Sequence, residues 1–137
     1  MYLRRSPAIV LSLVLGAAAL SAAPALAKDG GAAKEVDRDG CTRGTDTWAK
    51  LKVDTLPGND NRLQVVGVVY SDDSDLWDWR LKHNGDVSDE GRARGREDVD
   101  RAFRVTRTML NYIGTDTIVF RAENLSTGEV CRATVDF

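Results

Sequence analysis

The chain has 137 residues, with 19 lysines and arginines against 21 aspartates and glutamates, and its formal net charge is −2. This length suits one small domain. The acidic balance disfavours nucleic acid and anionic membranes as partners, because binding to either requires a broad basic surface.

Residues 1–27 have the parts of a secretory signal peptide. A positively charged start precedes an almost wholly apolar stretch over residues 8–20, and Ala25 and Ala27 supply the small residues that a signal peptidase reads. We expect cleavage before Lys28 and free secretion into the extracellular medium. The remainder holds 17 of the 19 basic residues and all 21 acids, a formal charge of −4. It contains no apolar run near the roughly 20 residues of a membrane span.

Two cysteines, Cys41 and Cys131, are present. In an exported chain, two cysteines most simply form one disulfide, which here would join the start of the domain to its last strand. For so long a loop the chain-entropy relation gives about 4–5 kcal/mol of stabilisation as an upper figure. The alternatives are two free thiols or two cysteine ligands of a metal ion. A chain with two cysteines and a single histidine, however, offers a poor set of zinc ligands.

The distribution of apolar residues changes at Cys41. Residues 28–40 hold glycine, alanine and charge without a periodic apolar face, which predicts a flexible leader. From residue 41 to 137, short alternating runs separated by turn residues indicate an all-β domain. The predicted strands are, in chain order, 48–56, 62–70, 76–83, a weak edge strand from 86, 101–110, 117–124 and 130–137.

The middle of the domain carries the strongest hairpin signal. Asn84-Gly85 favours a type I′ turn, because both residues accept a positive φ. The strand after it is predicted to be short and to fade into a mobile loop through Gly91 and Gly95. The inward face of the run 62–70 is open between two sets, Leu63, Val65 and Val69 or Val66, Val68 and Tyr70.

About seven strands without a helix predict an immunoglobulin-like Greek-key sandwich. Trp79 lies mid-strand, where immunoglobulin-like domains place a core tryptophan, and residues 116–122 (DTIVFRA) resemble the run that opens strand F of that superfamily. Ala122 stands where the family has a cysteine, so only the Cys41–Cys131 bridge remains. The stretch 103–137 is similar to small secreted proteins of high-GC actinobacteria with this sandwich. The resemblance implies a fold and no assigned activity.

The densest acid cluster is the loop 71–75, which contains Asp72, Asp73 and Asp75. Calcium prefers such oxygen-rich loops, so these three carboxylates are the candidate metal ligands. Their spacing matches no EF-hand, and a solvated acidic turn explains the cluster equally well. Calcium is the only cofactor that the sequence suggests.

Arg92, Arg94 and Arg96 recur at every second residue. In an extended strand they would form a basic stripe able to bind a carboxylate or sulfate. The alternative is a self-neutralised, solvated edge, because six acids lie within residues 86–101. Trp48 is a further candidate ligand contact, and its alternative role is packing at the rim of the core.

The sequence predicts no catalytic residue. His83 is the only histidine and is expected on the surface beside a turn, and no serine or cysteine has a recognisable nucleophile context. We therefore predict a monomeric, non-catalytic binding or adhesion module for an unknown protein or cell-envelope component. Its contacts are expected at the loops 71–75, 86–98 and 125–129. The alternative is an extracellular carrier of a small molecule or of calcium.

Overall fold

The computed structural model describes residues 34–44, 46–96 and 102–137. These residues form eight strands in two antiparallel sheets. Sheet 1 has the order β1-β2-β3-β6, and sheet 2 has the order β5-β4-β7-β8. The strands are β1 (Lys34–Gly40), β2 (Trp48–Leu56), β3 (Asn59–Tyr70), β4 (Leu76–His83), β5 (Asp86–Arg94), β6 (Ala102–Leu110), β7 (Thr117–Asn124) and β8 (Val130–Asp136).

The chain crosses from one sheet to the other at the β3–β4, β5–β6 and β6–β7 connections. The two sheets therefore pack face to face as a Greek-key sandwich, which confirms the predicted all-β fold. The β4–β5 hairpin has the predicted turn chemistry, since Asn84 has a φ of 50° and Gly85 a φ of 93°. Within the described ranges, no helix is long and apolar enough to cross a membrane.

Along each strand, side chains point alternately into the core and toward the surface. Trp79, the expected core tryptophan, is 6% exposed, and Trp77 on the same strand is fully buried. In β3 the inward set is Leu63, Val65 and Val69, all with no exposed surface. These side chains and their counterparts on the facing strands form one apolar layer between the sheets.

Strand β1 lies within the segment predicted to be a flexible leader. It pairs antiparallel with β2 along its whole length, from Lys34 opposite Asp54 to Gly40 opposite Trp48. The sequence of this segment has no alternating apolar face that would predict a strand. It becomes a strand by pairing with the open edge of β2. The prediction of a leader is therefore wrong for residues 34–40. Residues 28–33 and the predicted signal peptide, 1–27, lie outside the described residues.

Strand β5 is longer than the sequence predicts and runs through Gly91 to Arg94. Gly91 does not end the strand, because its missing side chain makes room for the core. A Cβ added there would lie 2.9 Å from Cζ2 of Trp79. A glycine inside a strand often marks such a close approach, and here it lets the indole pack closely against β5.

The Cys41–Cys131 disulfide closes one lateral edge of the sandwich, as predicted. Cys131 is fully buried on β8 of sheet 2, whereas Cys41 directly follows β1 of sheet 1. Hydrogen bonds flank the bridge: Thr42 N donates to Val130 O at 2.9 Å, and Val130 N donates to the Thr42 hydroxyl at 2.9 Å. The two sheets are thus joined at this edge by covalent and polar contacts together.

The opposite lateral edge, between β5 and β6, is closed by side chains. Arg107 of β6 forms an ion pair with Asp89 of β5. The Arg107 guanidinium carbon also lies 5.2 Å from the ring centroid of Trp79, a cation–π contact. One arginine therefore bridges the two sheets and covers the rim of the core.

Replacing both cysteines with alanine is expected to lower the free energy of unfolding by up to about 4–5 kcal/mol, because the denatured chain loses a long closed loop. Urea denaturation of the double variant measures the change. Wild-type protein kept in reductant is the control and should lose a similar amount. Unchanged midpoints in both samples would contradict a stabilising role for the bridge.

Gly67→Ala is expected to lower the free energy of unfolding by about 1–3 kcal/mol through overpacking. An added Cβ would lie 2.8 Å from Cγ and Cδ2 of Phe120 on the facing sheet. Gly40→Ala is the matched control, since nothing lies within 4 Å of a Cβ at that position. Equal denaturation midpoints for the two variants would contradict this close packing between the sheets.

Candidate functional site

Most of the charged side chains that point outward from sheet 1 are basic, although the chain as a whole is acidic. Arg38, Lys50 and Arg104 occupy one row across β1, β2 and β6, with a single valine of β3 between the last two. Alternation forces this arrangement, because the neighbours of these residues along each strand point into the core or toward sheet 2. We call this surface the cationic face and define it by Arg38, Trp48, Lys50, Lys52, Tyr70 and Arg104.

A shallow depression of about 280 Å³ lies on the cationic face. Val66 and Val68 form its floor, and Lys50, Lys52 and Arg104 stand around it. Lys52 pairs with an aspartate of its own strand at 2.5 Å. Within the part of the chain that the structure describes, no carboxylate pairs with Lys50 or Arg104, so both charges are available to a ligand.

The indole ring of Trp48 lies between the side chains of Tyr70 and Arg38. Its ring stacks on Tyr70 with a centroid separation of 3.9 Å and an interplanar angle of 16°. The guanidinium carbon of Arg38 lies 3.5 Å from the centroid of the same tryptophan. Both faces of the indole are therefore occupied, and Trp48 provides no open platform for a sugar ring. Its contribution to the site is to orient the Arg38 charge by a cation–π contact.

A larger depression of about 760 Å³ adjoins the cationic face at the β5–β6 edge. We call it the edge groove. The two depressions share Val68, Tyr70 and Arg104, so they form one continuous surface. Ala93 of β5, the alanine at the start of β6 and Phe103 contribute to the apolar lining of the edge groove.

The three arginines of the predicted basic stripe do not all line the same depression. Arg94 and Arg96 line the edge groove, and the Arg94 guanidinium donates to the backbone carbonyl of Ser74 at 3.0 Å. Arg92 lies on the outward face of sheet 2, where it pairs with Asp78 at 3.6 Å. Two of the three predicted ligand contacts therefore adjoin the cationic face, and the third does not.

The acidic loop between β3 and β4 is a hydrogen-bonded connection. Oδ1 of Asp73 accepts from the backbone N–H of Asp75 at 3.0 Å and from the Trp77 indole at 3.2 Å. The buried amide of Asn124 donates to Oδ2 of Asp75 at 3.0 Å. Among the described residues, no three His, Cys, Asp or Glu side chains are placed to hold a metal ion. The predicted calcium ligands, Asp72, Asp73 and Asp75, are therefore not assembled as a set.

A buried polar cluster that the sequence does not predict lies at one end of the sandwich. The fully buried carboxylate of Asp116 lies 2.7 Å from Nε2 of His83 through Oδ1. Its Oδ2 accepts from the backbone N–H of Tyr112 at 3.0 Å. The His83 side chain is only 10% exposed, so the prediction of a surface histidine is wrong. No described hydroxyl or thiol hydrogen-bonds to His83, and the cluster ties two end loops together.

The predicted site residues thus fall on separate surfaces: Trp48 on the cationic face, Arg94 and Arg96 in the edge groove, and the aspartates in a structural loop. The basic row of the cationic face is not among the predicted sites. Comparison with known protein families and with curated protein sequences returns no match.

The pH dependence of stability tests the closure of the β5–β6 edge. The hydrogen bond from Arg107 holds the pKa of Asp89 below its ordinary value. Because this pKa is lower in the folded than in the unfolded state, the ion pair stabilises the fold above an unfolded-state pKa of about 3.9. That contribution is lost as the pH falls through the folded-state pKa.

Asp89→Asn is therefore expected to reduce the free energy of unfolding at pH 6, with the difference from wild type shrinking below about pH 4. Urea denaturation between pH 2.5 and 6 measures both curves. Asp78→Asn, which breaks the longer surface pair with Arg92 at 3.6 Å, is the matched control. A pH-independent difference for Asp89→Asn would show that the bridge acts by packing alone.

Proposed function

We propose that the protein is a secreted, non-catalytic binding module that contacts a polyanionic component of the cell envelope through its cationic face. The observation that carries the proposal is the row of Arg38, Lys50 and Arg104 across one sheet. Among the described residues, no carboxylate pairs with Lys50 or Arg104. Unpaired cations on a solvated surface bind anionic groups with little desolvation cost, and arginines do so through paired hydrogen bonds.

The shape of the face suits an extended chain of anionic groups. Neighbouring strands lie roughly 4.8 Å apart, so the row from β1 to β6 spans about 14 Å. This length exceeds a single phosphate or carboxylate group, and it matches several successive groups of a polymer. The scaffold is a paired sheet, and Trp48 holds Arg38 in place. Little freedom of the backbone and of the Arg38 side chain is then lost when the ligand binds.

Secretion and the absence of catalysis are parts of the same proposal. A disulfide is compatible with an oxidising, extracellular location, which agrees with the predicted signal peptide. The His83–Asp116 pair lacks a hydroxyl or thiol partner among the described residues, so it does not form a nucleophile–base pair there. The cationic face itself has no carboxylate–histidine combination for acid–base chemistry.

The edge groove supports a second candidate function, transport of a small molecule. Its volume of about 760 Å³ lies in the range of small-ligand pockets. Phe103 and Ala93 supply an apolar wall, and Arg94 lies at the rim. These features fit an amphipathic carboxylic acid. Such a carrier would bind one small ligand in the groove without requiring Lys50.

Charge reversal tests the main proposal. Lys50→Glu combined with Arg104→Glu is expected to weaken binding to immobilised polygalacturonate or polyphosphate at least tenfold. The slope of log affinity against log salt should also flatten by about two units, because two anion contacts are lost. Biolayer interferometry across a salt series measures both quantities.

The matched control is Arg62→Glu combined with Arg92→Glu, which changes the net charge equally at positions outside the cationic face. Its affinity should stay within about threefold of wild type, because charge outside the contact surface acts only at long range. Equal losses in the two double variants would contradict a defined contact surface. Tighter binding to duplex DNA than to either polymer would contradict a cell-envelope partner.

A further inference from the structure

The outward face of sheet 2 carries three arginines side by side. Arg80 of β4 lies directly opposite Arg121 of β7, which lies directly opposite Arg132 of β8. Directly opposed residues in an antiparallel sheet have Cβ atoms roughly 5 Å apart, and like charges in such positions repel each other. We call these residues the arginine row. Three successive cations across three strands are an unfavourable arrangement unless anions surround them.

The protein itself neutralises only part of the arginine row. Glu90 pairs with Arg80 at 2.9 Å, and Glu123 pairs with Arg121 at 2.8 Å. For Arg132 the described residues offer no carboxylate partner. The unbalanced charge therefore lies at the β8 end of the row.

A depression of about 260 Å³ lies beside the arginine row. Val119 forms its floor, and Lys82, in the same register row as Val119, stands at its side. Lys82 also has no carboxylate partner within the described ranges. Four cationic side chains from three strands thus surround one short apolar residue. The space accommodates an oxyanion together with several water molecules.

We propose that the arginine row and Lys82 form a second anion site, for phosphate, sulfate or carboxylate groups, and that one protein molecule bridges two polyanionic chains. The bridging rests on the proposed function of the cationic face. The outward faces of the two sheets point in opposite directions, with the core and both sheets between them. Two separate chains therefore bind on opposite sides, and the protein acts as a cross-linker.

Anion binding at this site relieves the repulsion within the row. Arg121 and Arg132 lie directly opposite each other on β7 and β8, and a tetrahedral oxyanion bound beside them can accept hydrogen bonds from both guanidinium groups. Lys82 adds a mobile point charge from the next row. The site therefore prefers multivalent oxyanions to chloride, and inorganic phosphate is a sufficient probe of it.

Agglutination of particles tests the bridging. Disulfide-bonded wild-type protein is expected to agglutinate polygalacturonate-coated particles. Lys82→Glu combined with Arg132→Glu should abolish agglutination while leaving the affinity of the cationic face for the immobilised polymer within about threefold of wild type, because that face is intact. Arg43→Glu combined with Arg62→Glu is the control and should agglutinate normally, because neither residue lies on the outward face of sheet 2.

Thermal melting in phosphate isolates the second site. In the Lys50→Glu, Arg104→Glu background, phosphate should still raise the melting temperature through the arginine row, because a ligand that binds only the folded state stabilises it. The shift should disappear when Lys82→Glu and Arg132→Glu are added. If phosphate does not raise the melting temperature of the Lys50→Glu, Arg104→Glu variant, the proposal of a second site is overturned.

The outcomes separate the two proposals. Wild-type protein that binds the polymer without agglutinating particles overturns the bridging and leaves the proposed function in place. Wild-type protein that binds no polymer overturns the proposed function. Agglutination that persists in the Lys82→Glu, Arg132→Glu variant, together with a dimer in sedimentation, overturns the second site and assigns bridging to two copies of the cationic face.

Discussion

The structure depends on holding two small sheets together at their lateral edges. On one side Cys41 and Cys131 supply a covalent tie, and on the other Arg107 reaches from β6 to Asp89 of β5. The core between the sheets is one side chain deep on each face, which is little apolar burial for a domain of this size. Links at the edges therefore limit the relative motion of the sheets, and they leave the outward faces of both sheets free for other uses.

Alternation along the strands connects the core to the candidate sites. Each residue that points inward places its two neighbours on the outside, so the apolar set of β2 requires an outward set that includes Lys50 and Lys52. Acidic residues lie in loops, such as that of Asp73, and also on the outward face of sheet 2, where Glu90 and Glu123 pair with arginines. A chain with a negative net charge thus still presents a basic row on sheet 1, because strand register places its cations next to each other there.

Much of the fold is predictable from local pattern. Strands β2, β4 and β7 have their predicted bounds, because each alternates cleanly between turn residues. Strand β1 is not predictable, since only the open edge of its neighbour makes it a strand. The His83–Asp116 contact joins residues 33 apart, and no local spacing indicates such a pair. Arg104 belongs to the same row as Lys50 only through the pairing of β3 with β6.

The sequence by itself determined the all-β class, the burial of Trp79 and the disulfide, because periodicity, turn chemistry and cysteine count are local or countable properties. Only the tertiary structure decided which charges are neighbours. The order of strands in a sheet sets the cross-strand partners, and strands far apart in the chain bring Arg80, Arg121 and Arg132 into one row. Which charges are neighbours on the surface of a sandwich depends on the strand order. The strand order is set by pairing between segments that are far apart in the chain.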